Sequence, residues 1–297
     1  MVTINFKRVS RIVKKQVMLD DLDLTIEPAM ISAICTDQPA SVTALFELIT
    51  GEKADDGQVM LDQLDAYTQR KHLGDLVGCL FADDEGSTRG TVTTFLEHCL
   101  KKATGDHLSL EQSLGIAKQL KLTPDSRVAD LEPGAKRQLQ ILSLVVNEPP
   151  ILLLEQPTSM MNAQQATAIW QLLADYGRKM AATIVFSSPQ VAEMQVHANQ
   201  IIYLSNGHVS QIRPIVTHDS SDCVVKVTGR GLPVEMIDVL GGHFIKETPM
   251  NQEFVYSGNI QALLPLLEQS GITDVRILDA TIDDELRVWW KESRWRH

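Results

Sequence analysis

The sequence predicts an α/β protein, a mostly parallel sheet with covering helices followed by a small α+β domain, and three observations carry that reading. Strand-like and helix-like segments alternate up to about residue 204, the arrangement that builds a parallel sheet between helices. Ile151-Leu152-Leu153-Leu154 is a short unbroken apolar run, as expected of a parallel strand buried on both faces. After Pro214 the order becomes strand, helix, strand, strand, helix, strand, which is the ferredoxin-like order. A chain of 297 residues accommodates both parts at roughly 100 to 200 residues per domain, with the boundary expected between 1–215 and 216–297.

Period-two alternation marks strands over Val2 to Phe6 and Leu22 to Ile26, and the apolar run Ile31 to Cys35 marks a third. Leu45, Leu48 and Ile49 have helical spacing, and Gly51 stands where a terminating glycine belongs. Residues 91 to about 122 read as helical with a break near Gly105, which puts Phe95, Leu96 and Cys99 on one face and Leu110, Leu114 and Ala117 on another. A further helix starts near Gly134, so that a helical insert occupies about 91–147. Beyond the buried run come a helix over Asn162 to Met180, a strand over Ala182 to Ser188, a helix over Val191 to His197 and a strand over Gln200 to Leu204.

In the second domain the strands are expected at Cys223 to Val227, His243 to Glu247, Glu253 to Tyr256 and Asp274 to Leu278. Helices are expected at Pro233 to Leu240 and Ile260 to Glu268, with a last helix at Ile282 to Trp290.

Hydrophobic residues make up 44% and charged residues 22%, which argues against disordered, collagen-like and coiled-coil classes. The formal net charge is -11 and no long Lys/Arg run interrupts it, so nucleic acid is not an expected partner. Cys35, Cys79, Cys99 and Cys223 have neither zinc-site spacing nor the density of a disulfide scaffold, and reduced thiols in the cytosol are expected. The eight histidines show no paired ligand spacing, so no metal site is expected. No stretch of roughly 18 apolar residues is present, which predicts a cytoplasmic protein whose membrane contact is indirect.

Two landmarks point to a function. One is Leu152-Leu153-Leu154-Glu155-Gln156-Pro157-Thr158-Ser159, and the other is the strand, loop and helix ending in Leu48-Ile49-Thr50-Gly51. In order and spacing the chain resembles the P-loop NTPase-like nucleotide-binding domain of ABC transporters, with an antiparallel β subdomain and a helical subdomain. Its second part resembles the accessory domain of drug and antibiotic exporter ATPases. The resemblance implies a dimer that sandwiches ATP between a phosphate loop and the partner's signature loop.

Carried over residue by residue, the resemblance places the phosphate loop on Thr36, Asp37, Gln38, Pro39, Ala40, Ser41, Val42 and Thr43. Such a loop needs glycines so that backbone N–H groups converge on phosphate, and a lysine for the β- and γ-phosphates. Val42 stands in the lysine position, Pro39 has no N–H, Thr36 and Ser41 replace glycines, and Asp37 adds a negative charge. Thr43 alone keeps the hydroxyl that would hold magnesium.

The magnesium aspartate falls on Glu155, and the catalytic glutamate on Gln156, whose amide cannot take a proton. The switch histidine falls on Pro189, the glutamine linking metal to the helical insert on Ala82, and the adenine-stacking aromatic on Val13. The signature loop falls on Leu131, Glu132, Pro133, Gly134 and Ala135, with Glu132 set against a phosphate, and the aspartate of the dimer loop falls on Asn162. Lys53, Lys101 and Lys136 are the candidates for a displaced lysine.

The resemblance therefore implies a non-catalytic subunit of a bacterial ABC exporter that keeps its dimerisation and permease-docking surfaces, with no cofactor expected. One alternative is a weakly active ATPase that binds Mg-ATP weakly and pairs with an intact paralogue. Another is a free-standing regulatory or immunity protein. Trp289, Trp290 and Trp295, interleaved with Arg287, Lys291, Arg294 and Arg296, suit a membrane interface or an acidic partner.

Overall fold

The computed structural model describes residues 2–102, 107–215, 223–229, 232–248, 250–256, 260–269 and 271–280, with Asp284 and Val288. The chain divides into two compact units, Met1–Ile215 and Val216–His297.

The first unit opens with β1 (Ile4–Val13), β2 (Gln16–Ile26), β3 (Ile31–Thr36), α1 (Pro39–Ile49), β4 (Asp56–Leu61), β5 (Leu64–Asp65) and β6 (Val77–Leu80). It continues with α2 (Val92–Lys102), α3 (Leu110–Gln119), α4 (Pro133–Val145), β7 (Ile151–Glu155), α5 (Ala163–Met180), β8 (Thr183–Ser187), α6 (Val191–His197), β9 (Gln200–Ser205) and β10 (His208–Pro214). Strands β2-β1-β4-β5 form one antiparallel sheet, and β10-β9-β3-β8-β7-β6 form a second that is parallel except for its β10 edge.

Helix α1 supplies Val42, Leu45, Phe46, Leu48 and Ile49 to a core shared with Ile4, Leu22 and Val59 of the first sheet and Ile34, Leu153 and Ile202 of the second. Its end is forced by Gly51 at φ +100, where a Cβ would stand 2.6 Å from that of Arg70. Every residue of β7 is buried, as the unbroken apolar run requires, so the carboxylate of Glu155 enters at the strand's last position.

Where the structure exceeds the sequence pattern, solvent exposure is the reason. β1 and β2 run on past the alternating segments to a hairpin at Lys14 and Lys15, both at positive φ. Register shifts between Phe6 and Val9 and between Val9 and Arg11 break the period of two in that stretch. β10 is largely exposed and antiparallel, so it lacks the apolar run that reveals the buried strands. The break near Gly105 lies outside the described residues.

The second unit comprises β11 (Cys223–Gly229), α7 (Val234–Val239), β12 (Gly242–Thr248), β13 (Asn251–Tyr256), α8 (Ile260–Gln269) and β14 (Ile272–Asp279). Its antiparallel sheet runs β12-β13-β11-β14, the ferredoxin-like arrangement. Val225, Val227, Phe244 and Phe254 of the sheet pack with Ile237 and Leu263 of the two helices. Val224 and Val255 pack on the other face with Ala280 and Val288. Of the expected last helix, Asp284 and Val288 are helical and the rest lies outside the described residues, as do the three carboxyl-terminal tryptophans and their basic neighbours. Among the described residues no helix is long and apolar enough to cross a membrane.

Candidate nucleotide site

The junction between β3 and α1 decides what the phosphate-loop segment can bind. β3 ends at Thr36 and α1 begins at Pro39, so only Asp37 and Gln38 lie outside regular elements and Pro39 to Thr43 are already helical. The turn consumes its own donors. The N–H of Gln38 donates to Oγ1 of Thr36 at 3.0 Å, and the N–H of Ser41 donates to the carbonyl of Gln38 at 2.9 Å. Pro39 at the first helical position has no N–H to offer. Val42 is 1% exposed and belongs to the apolar core, and Ser41 is buried with a hydroxyl that has no partner.

Thr43, Ala82 and Glu155 are brought together. Oγ1 of Thr43 donates to Oε1 of Glu155 at 2.9 Å, and the backbone N–H of Ala82, just beyond β6, donates to Oε2 at 3.3 Å. The hydroxyl and the carboxylate that would share a magnesium ion are thus bonded to each other, and the second carboxylate oxygen is engaged by the main chain. Glu155 is 4% exposed. Gln156, at φ +49, donates its N–H to the carbonyl of Ser187 at 2.9 Å.

A residue outside the motif positions completes this cluster. Arg137 on α4 is 5% exposed and donates to the carbonyls of Phe81 at 2.8 Å, Glu155, and Gln156 at 3.4 Å. Burial lowers its pKa, while the charges of Asp84 and Glu155 oppose that shift. A signal for it exists in the sequence: Arg137 stands four residues before the buried Ile141, and so on the inward face of the helix. Of the three candidate lysines, Lys53 and Lys101 are exposed and Lys136 is half-buried.

The signature-equivalent residues meet the start of α5 and not the Glu155 cluster. Leu131 precedes α4, Glu132 is its N-cap residue with no side-chain cap bond, and Pro133 opens the helix. Gly134 is buried where a Cβ would lie 2.7 Å from the carbonyl oxygen of Met160, so this position admits only glycine without a shift. Ala135 and Asn162 line a cavity of about 150 Å³ with Leu120, Gln138 and Gln165. Asn162 caps α5 in a reciprocal box with Gln165.

Pro189 is exposed in the loop between β8 and α6, and Val13 is half-buried at the β1–β2 hairpin. The structure records no contact that joins either of them to Glu155. The segment after Gln156 is fastened instead through Glu193 on α6, which accepts from Oγ1 of Thr158 and from Nε1 of Trp170 at 2.7 Å. Trp170 stacks on His197 at 4.3 Å, and burial lowers the His197 pKa against the charge of Glu193. Burial pushes the Cys79 thiol up beside Asp84 and Glu155, so it stays protonated. Among the described residues no group of acidic, His or Cys side chains is arranged to hold a metal ion.

Residues 19–159 match the family model described as ABC transporter. The first unit has the α/β fold of an ABC-type ATPase cassette. The chain is 25% identical over 240 residues to the methionine import ATP-binding protein MetN of Bradyrhizobium diazoefficiens, covering 73% of this chain and 67% of that protein. It is 19% identical over 239 residues to the ribose import ATP-binding protein RbsA of Bacillus subtilis, covering 77% of this chain and 48% of that protein.

The cassette fold is shared with the dimeric post-hydrolysis state of the ATP-binding cassette MJ0796 bound to ADP and Pi. The TM-score is 0.63 at 20% identity, covering 72% of this chain and all of that one. It is also shared with cbiO1 from Clostridium perfringens, at TM-score 0.62 and 16% identity, covering 71% of this chain and 88% of that one. As folded, the Thr36–Thr43 segment is helical from Pro39, and the N–H groups of Gln38 and Ser41 are spent within the turn.

Proposed function

We propose that this chain is a non-catalytic nucleotide-binding-domain subunit of a bacterial ABC transporter, retained for docking on a permease and for pairing with a second cassette at the cytoplasmic face of the membrane. The observation that carries the reading is the start of α1 at Pro39, which leaves a two-residue connection where a phosphate cradle needs a loop. Val42 packs in the core where a lysine would have to reach out, and Gln156 supplies an amide where a base is required. With both the phosphate loop and the signature loop altered, pairing with one intact paralogue leaves neither composite site whole.

On this reading the helical insert couples to the permease, and the Trp- and Arg-rich carboxyl terminus adds a membrane or acidic-partner contact. The resemblance of the second unit to exporter accessory domains supports an exporter. An importer is the second reading, favoured by relatives named as import ATP-binding proteins.

Affinity purification from native membranes tests the proposal. A permease and a cassette partner should co-purify, and the permease identified gives the direction of transport. A purified one-to-one pair of this chain with an intact paralogue should release phosphate no faster than background. Robust, cooperative hydrolysis by that pair, or a chain that purifies without any membrane protein, overturns the reading. Truncation after Lys291 should weaken association without unfolding the chain, and unchanged association removes the carboxyl-terminal contact.

A further inference from the structure

The two edges of the second unit's sheet are treated differently. β12 at one edge carries Lys246 and a register shift between Phe244 and Lys246, two devices that discourage strand addition. β14 at the other edge, Ile272-Thr273-Asp274-Val275-Arg276-Ile277-Leu278-Asp279, has neither lysine nor proline, and its register shift against β11 lies at the strand's start, at Thr273, leaving Asp274 to Asp279 regular. Among the described residues it is hydrogen-bonded to β11 alone. Ile277 and Leu278 are 44% and 51% exposed although they belong to opposite faces of the strand. An edge strand with apolar residues open on both faces is a template for another strand.

We propose that β14 pairs antiparallel with β14 of a second copy of this chain, centred on Val275, to give a continuous eight-stranded sheet. The charges select both the occupant and the register. Asp274 and Arg276 share one face, and in this register Asp274 of each copy stands opposite Arg276 of the other, twice across the two-fold axis. Val275 meets Val275 on the helix-covered face.

Centring the pair on Asp274 opposes two carboxylates, and centring it on Arg276 opposes two guanidinium groups. A centre at Ile277 puts Val275 against Asp279. Within one copy Asp274 and Arg276 already pair at 3.2 Å with side chains 54% and 72% exposed. Such an exposed pair contributes little and exchanges readily for the intermolecular one. The inference concerns a surface other than the nucleotide site and does not rest on the reading of that site.

The test is disulfide trapping in the full chain under mild oxidation, with the unsubstituted chain as control for the native thiols. Val275→Cys should give a covalent dimer that the control does not. Should Val275→Cys impair folding, a mixture of Asp274→Cys and Arg276→Cys chains should cross-link to each other but neither to itself. In the Val275→Cys background, Asp274→Arg and Arg276→Asp should each weaken self-association by about tenfold or more, through like charges opposed twice, and the double reversal should restore it. The proposal is overturned by a cross-link yield no higher than the control at concentrations where the chain sediments as a dimer, by sedimentation as a monomer throughout, or by single reversals that leave the yield unchanged. The outcome is independent of ATP binding, so each claim fails on its own evidence.

Discussion

Glu155 and Glu132 are the two carboxylates that the resemblance to ABC cassettes sets against metal and phosphate, and the fold treats them oppositely. Glu155 is buried at the end of β7, with both oxygens accepting hydrogen bonds and Arg137 close behind its carbonyl. Glu132 is exposed at the start of α4, with a carboxylate that makes no cap bond. The difference teaches that a polar group is fitted with partners where burial leaves it no water. At the surface water satisfies the group. The interior cluster joins the sheet, the segment after β6 and α4, while the loop before α4 has a helix start with no side-chain cap.

The largest effect should come from breaking that joint at its cation. Arg137→Met leaves the carbonyls of Phe81, Glu155 and Gln156 without their donor and removes the counter-charge to Asp84 and Glu155. Urea unfolding should show a loss of about 3 kcal/mol or more, because each hydrogen bond to a charged group contributes roughly 1.5 to 3 kcal/mol. Arg137→Lys should recover only part, since one ammonium cannot span the same carbonyls in the geometry of a planar fork.

Glu155→Ala should come next, at about 2 kcal/mol, by stranding the Thr43 hydroxyl and the Ala82 N–H. A loss below about 0.5 kcal/mol in either variant would mean that the joint is not structural.

The same contrast between buried and exposed positions governs how much of the molecule is legible in its sequence. β7 and the helical face of α1 are legible because burial on all sides leaves an apolar pattern with no other explanation. β10 and the outer halves of β1 and β2 are not, because exposed strands carry charges freely and bulges disturb the alternation. At the site, Thr43, Glu155 and Ala82 are singled out by the resemblance to ABC cassettes, but their mutual hydrogen bonds are not. Those bonds depend on how far a glutamate side chain reaches across two strands and a helix. Arg137 escapes notice because a charged residue near a helix start reads as solvated, although its register with Ile141 places it inward.

A smaller effect of opposite sign is expected at the surface loop. Glu132→Ser supplies a compact N-cap acceptor where none is made, and should raise stability by about 0.5 to 1 kcal/mol. A destabilising result would show that Glu132 already serves the helix start, and would erase the contrast with Glu155.

Smallest is a pH effect at His197, whose ring stacks on Trp170 beside the half-buried Glu193. Because burial depresses the folded-state pKa of His197 below its ordinary 6.5, the neutral ring is favoured in the fold. Its contribution is present above that value and is lost as pH falls through the folded pKa. Unfolding midpoints measured from pH 7.5 downward should therefore decline below about 6.5, and His197→Phe should flatten that part of the curve. An unchanged slope in the variant would assign the pH dependence to other groups.

The central claim, that the altered phosphate-loop segment has lost its nucleotide, is tested most directly by calorimetric titration of the full chain with Mg-ATP, repeated on Val42→Lys. The account predicts no saturable heat at micromolar to low millimolar nucleotide for either protein, because restoring a lysine does not return the N–H that Pro39 lacks or the donors spent within the turn. Saturable binding with a dissociation constant below about 100 μM, matched by a thermal shift equivalent to about 2.7 kcal/mol at a hundredfold excess of ligand, would contradict it.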